Sequence, residues 1–223
     1  MRNKAHRWFS VLSLLLVGVI SSAAQAQPFE EGRHYVAINA MSATPSDKVL
    51  ITEAFAYPCP ACRAFLPVMH DWTENAPDYV EVERLPIVLR PGWEPFARAY
   101  YTVLVMDLGF EAHEAIFKAL HDERRPIRSM EDIGVVVEPF GVDANAFVQT
   151  SQSFAVESMM GRNRTDVRRF GIRSTPNVII QGKWRMDLNE FSSYQEMMRA
   201  VDMLVAREAE LLGIETGAES SAP

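Results

Sequence analysis

Tyr57-Pro58-Cys59-Pro60-Ala61-Cys62-Arg63-Ala64-Phe65 holds the only two cysteines in a chain of 223 residues, three positions apart. Before it, the run from Lys48 to Ala56 clusters apolar residues as a buried strand does. After it, Phe65, Val68, Met69 and Trp72 recur at helical spacing, and Pro67 should kink that helix. Asp78 to Leu89 reads as a second strand, with Val80, Val82 and Leu85 set between charges. Strand, helix and strand at this spacing imply a βαβ unit with a parallel pair. The cysteines then fall where the first strand turns into the helix.

From Pro91 to about Glu157 the chain reads as helix. Candidate helices are Phe96 to Leu108, Glu111 to His121, Ser129 to Phe140 and Ala144 to Ser158, separated by Gly109, Pro126 and Gly141. Ser129 with Asp132, and Asp143, look like helix starts. Sheet character returns at Asn177-Val178-Ile179-Ile180-Gln181. A Gly182-Lys183 turn and Trp184-Arg185-Met186 make that a hairpin. Tyr194 to Leu212 reads as a closing amphipathic helix. A βαβ piece and a ββα piece thus flank a helical block.

Residues 1–26 have the three-part layout of a secretory signal: Arg2, Lys4 and Arg7, an apolar run from Phe9 to Ile20, and Ala24-Gln25-Ala26 at the cleavage site. The run is too short to span a bilayer, which takes roughly 20 residues. Its removal takes three bases and no acids, so the formal net charge moves from −7 to −10. That charge disfavours a nucleic-acid partner, because phosphate contacts need a basic face. The remaining 197 residues suffice for one sizeable core with an inserted subdomain.

Three readings of the cysteine pair compete. As a staple, a four-residue loop contributes only about 2 kcal/mol in the chain-entropy account. As a zinc site it lacks partners: zinc takes about four ligands, and His34, His70, His113 and His121 show no paired spacing. They read as surface or satisfied histidines. As a redox pair it has a mechanism. Cys59 at the helix start meets unpaired N–H groups and the positive end of the helix dipole, which favour thiolate. Pro60 suits the first turn. Cys62 lies deeper on the same face, so Cys59 attacks and Cys62 resolves.

Strand, CxxC at a helix start, and a later proline before a buried strand resemble the thioredoxin superfamily. Cys-Pro-Ala-Cys with a helical insertion resembles its DsbA branch, the periplasmic dithiol oxidases. The resemblance extends to Phe29-Glu30-Glu31-Gly32 with Tyr35, to Glu53-Ala54-Phe55, and to Gly171-Ile172-Arg173-Ser174-Thr175-Pro176-Asn177 followed by Gly182-Lys183. It implies an α/β thioredoxin fold, 27–90 plus 158–223, with an inserted helical domain at 91–157. It implies a cis Thr175–Pro176 bond beside Cys59, where Thr175 could pair with an extended substrate peptide. Glu53 matches a buried acid that passes the proton of the resolving thiol, and Arg84 stands where a basic partner is often found. The cofactor would be none beyond the Cys59–Cys62 disulfide. The partners implied are reduced secreted proteins and a DsbB-like membrane quinone reductase, and the protein would be a periplasmic monomer.

The departures are specific. The well-known oxidases carry histidine where Ala61 stands, so Cys59 should be less acidic here and the disulfide less oxidising. Pro58 deletes an N–H just before the nucleophile. Thr175 is a residue that related isomerases and reductases often have. A thiol reductase or an oxidase for few clients is therefore the alternative, and a peptide-binding chaperone with an incidental pair is a third class. An isomerase fits less well, since such enzymes are usually dimers and no separate dimerisation domain is evident. Arg162, Arg164, Arg168, Arg169 and Arg173 read as a solvated helix face, or else as a local positive field. Met159, Met160, Met197, Met198 and Met203 read as core filler.

Overall fold

A computed structural model of the chain describes residues 29–38, 47–186 and 188–215. The leader expected over 1–26 lies outside them. Strands β1 (Tyr35–Ala37), β2 (Val49–Phe55), β3 (Val80–Pro86), β4 (Asn177–Ile180) and β5 (Trp184–Met186) form one sheet, in the order β1-β5-β4-β2-β3. The expected parallel pair is β2 with β3, running from Val49 opposite Val80 to Phe55 opposite Pro86. That register sets Glu53 opposite Arg84. β3 is shorter than the run expected over Asp78 to Leu89 and closes on Pro86, which has no amide hydrogen to give. β4 is antiparallel to both β2 and β5.

Helix α1 (Pro60–Glu74) follows β2 and continues through Pro67. The central block holds α2 (Glu94–Val105), α3 (Gly109–His121), α4 (Met130–Val137), α5 (Ala144–Ser151) and α6 (Phe154–Arg169). Ser129 and Asp132 form a reciprocal capping box at α4, and Asp143 caps α5. The run expected over Ala144 to Ser158 is two helices. Ser153 takes an extended conformation, accepts from Val156 N–H at 3.3 Å and starts α6. The expected helix to Phe140 ends at Val137, followed by one 3₁₀ turn around Pro139. Helix α7 (Tyr194–Leu211) closes the chain.

One face of β2 feeds two cores, one at each end of the strand. Val49 and Ile51 pack with Phe65 and Met69 of α1, Val178 and Ile180 of β4, and Met197, Val201 and Leu204 of α7. Phe55, at the end of β2, joins Tyr57, Cys59, Cys62 and Leu66 in the core of the helical block. The cysteine corner is therefore packed against helices that lie far from it in sequence. Met160, Met197 and Met198 are buried, as core filler should be, while Met159 is half-buried and Met203 reaches the surface.

Candidate active site

Cys59 has extended backbone (φ −92°, ψ 113°) and caps α1, with Pro60 at the first helical position, where its missing amide costs nothing. The Cys62 N–H donates to Cys59 Sγ at 3.4 Å. The Cys59 thiol donates to the Thr175 carbonyl at 3.4 Å. Both cysteines are free thiols; Cys59 is 8 % exposed and Cys62 1 %. Their environments drive them apart. A hydrogen bond from the Cys62 thiol lowers the Cys59 thiol to about 5; burial opposes this, while the Thr175 side chain and the backbone N–H groups of Cys62 and Ala61 assist. Burial, with the neighbouring Cys59, pushes the Cys62 thiol far up. This is one ionisable sulfur poised as thiolate and one held as thiol. The bond to the Thr175 carbonyl belongs to the thiol form of Cys59 and is given up on ionisation, so it opposes the other donors.

The Thr175–Pro176 peptide is cis, with Thr175 half-buried and Pro176 buried. The loop before it is pinned from β5: Arg185 donates to the Phe170 carbonyl at 3.0 Å and to the Gly171 carbonyl. Gly171 has φ +63°, a conformation that favours glycine, and a Cβ there would meet the Arg185 guanidinium at 2.8 Å and push it off its carbonyls.

Glu53 is 2 % exposed, and its Oε2 accepts from Arg84 Nε at 2.9 Å. Burial raises its pKa even though Arg84 pulls the other way. Arg84 in turn lines a cleft of 340 Å³ between β3, α2 and α6, shared with Glu83, Tyr101, Arg162 and Asn163. The arginines from 162 to 169 are exposed, with Arg162 also lining that cleft; Arg162 reaches Ser158, Arg164 pairs with Glu157, and Arg169 pairs with Asp166. They form a solvated face with local partners.

Several contacts of the corner have no signal in the sequence. Tyr194 Oη donates to the Ala61 carbonyl at 2.9 Å. His121 Nε2 bonds the Tyr57 carbonyl at 2.7 Å. Arg63 pairs with Asp122 at 2.6 Å, next to His121. His113 Nδ1 bonds the Tyr57 hydroxyl at 2.8 Å, and its Nε2 is buried without a hydrogen-bond partner. The expectation of surface or satisfied histidines thus fails at His113, which burial holds well below the usual imidazole range and so neutral.

A family model for the DSBA-like thioredoxin domain matches residues 94–199. The thiol:disulfide interchange protein DsbA of Pseudomonas aeruginosa is 27 % identical over 196 residues, covering 87 % of this chain and 93 % of that protein. That of Bordetella parapertussis is 28 % identical over 205 residues, covering 90 % and 95 %. The crystal structure of Pseudomonas aeruginosa DsbA superposes with a TM-score of 0.76 at 26 % identity, over 82 % of this chain and 96 % of that one. The oxidoreductase DsbA from Xylella fastidiosa does so at 0.76 and 26 %, over 82 % and 98 %. The fold is a DsbA-like thioredoxin fold, and the chain is a thiol:disulfide oxidoreductase similar to the DsbA proteins over most of its length.

Proposed function

We propose that the protein introduces disulfide bonds into reduced secreted proteins in the periplasm, exchanging its Cys59–Cys62 disulfide for the thiols of its client. The observation that carries this reading is the split between the sulfurs: Cys59 is lowered to about 5 at the helix start and Cys62 is pushed up behind it. A client thiolate attacks Cys59 Sγ, the Cys59–Cys62 bond breaks, and Cys62 leaves with the electron pair and takes up a proton. A second client thiolate then attacks the client sulfur of the mixed disulfide and releases Cys59 as thiolate. The client is oxidised by two electrons and the enzyme ends as the dithiol. A stabilised Cys59 thiolate favours that end state.

Glu53, buried with a raised pKa and paired to Arg84, serves as the donor of the proton that Cys62 takes up. Thr175 and Pro176 hold the client as an extended strand beside Cys59, supported by the 3.4 Å approach of the Thr175 carbonyl. Pro60 and Ala61 set the turn between the sulfurs. No cofactor is needed beyond the disulfide. A DsbB-like membrane quinone reductase takes the electrons back, the N-terminal signal is cleaved, and the enzyme works as a monomer without nucleic acid. Residues 91–157 act as the inserted domain of a thioredoxin-like unit, 27–90 plus 158–223. Thr175 and Ala61 favour a second reading, a reductase.

An equilibrium titration against glutathione separates the two. A potential well above that of thioredoxin supports the oxidase, and one near thioredoxin's supports the reductase. The variant Cys59→Ala abolishes exchange in either case. Full client protection without that sulfur would point to a chaperone instead.

A further inference from the structure

The peptide group between Ala61 and Cys62 makes hydrogen bonds at both ends. Its N–H donates to Cys59 Sγ at 3.4 Å. Its carbonyl accepts from Tyr194 Oη at 2.9 Å, on a helix 133 residues away in sequence. An amide whose carbonyl is already engaged is a stronger donor, because the two bonds polarise the same resonance-linked group in one direction. We infer that Tyr194 is a positioning residue for the exchange reaction, acting through the Ala61–Cys62 peptide to strengthen the N–H bond that stabilises the Cys59 thiolate. Its hydroxyl reaches the residue where the well-known oxidases carry histidine. Here that position is an alanine, and its backbone supplies the link that its side chain cannot.

Three further observations support the role. Tyr194 is held in place by its ring, 5.1 Å from that of Phe65, a fully buried residue of α1. The hydroxyl therefore approaches the carbonyl from a fixed platform. Second, the turn has few other donors, because Pro58 and Pro60 carry no N–H and the Cys59 N–H is spent on the Ala56 carbonyl at 3.0 Å. Third, the Tyr194 phenol is raised by burial and then by the charges of Cys62 and Cys59, so it stays protonated and donating when Cys59 ionises.

The inference rests on Cys59 being the exchanging sulfur, and one titration separates the two ideas. The Cys59 pKa is read from thiolate absorbance in the full reduced protein, with Cys59→Ser as blank. A parent value near that of a free thiol would defeat the proposed function itself. Given a depressed parent value, Tyr194→Phe removes the hydroxyl and keeps the ring, and should raise the pKa by about half a unit, a roughly three-fold fall in the thiolate-to-thiol ratio. Difluorotyrosine at 194, a stronger donor, should lower it. A depressed parent value unmoved by both replacements overturns the inference. Movement in the same direction for both also overturns it, since that is what a packing change would give.

Discussion

Glu53 and Glu208 are both almost fully buried carboxylates, yet they sit in opposite kinds of surroundings. Glu208, on α7, uses both oxygens: Oε1 accepts from Trp184 Nε1 at 2.7 Å and Oε2 from Lys183 Nζ at 2.6 Å. It fastens the β4–β5 turn to the closing helix. Glu53, in the middle of β2, is paired through Oε2 with an arginine that borders an open cleft, and burial still dominates its pKa. A buried acid with both oxygens engaged behaves as a rivet. One whose burial outweighs its partner can change protonation during a reaction. The difference lies in what surrounds each carboxylate, since the side chain is the same.

That contrast can be broken by substitution. Glu208→Ala leaves the Trp184 indole and the Lys183 ammonium without their acceptor and opens space under the hairpin, so it should cost about 3 kcal/mol in urea unfolding, with thiol exchange per folded molecule unchanged. Glu53→Gln should do the reverse: exchange slows roughly ten-fold, equivalent to about 1.4 kcal/mol, in stopped-flow reduction by a model dithiol, with little change in melting temperature. If Glu53→Gln lost stability but no rate, the two acids would be alike and Glu53 only structural.

The pH dependence sharpens the same contrast with smaller effects. The folded pKa of Glu53 lies above its unfolded value. Its contribution to stability is therefore complete below about 4.3, the ordinary glutamate value, and is lost as pH rises through the raised one. Cys59 runs the other way. Its folded thiol is lowered to about 5, so the reduced protein gains stability as pH rises from there toward the ordinary thiol range. Denaturant titrations of the reduced chain should lose the first slope in Glu53→Gln and the second in Cys59→Ser.

The cysteine corner, the parallel β2–β3 pair and the hairpin were legible because each is written in local pattern: a CxxC, a period-2 run, a Gly-Lys turn. The break at Ser153 was not legible, since the apolar spacing hardly changes across it and only the serine side chain marks the new start. Thr175, Pro176 and Glu53 entered through resemblance, and the register that pairs Glu53 with Arg84 then follows from the sheet. Tyr194, His121 and His113 escaped for a physical reason. Each meets the corner from a helix 56 to 133 residues away, and what it touches is a backbone carbonyl or a single tyrosine hydroxyl, groups that leave no motif.

The two prolines that bracket Cys59 have a consequence for observation. They leave Ala61 and Cys62 as the amide protons that help hold the sulfur's charge. In a nitrogen–proton correlation spectrum those two resonances become an internal gauge. They should move downfield as the dithiol ionises and shift again when the pair closes. The redox state of the enzyme could then be followed in a crowded mixture by two peaks, with no dye and no reporter attached.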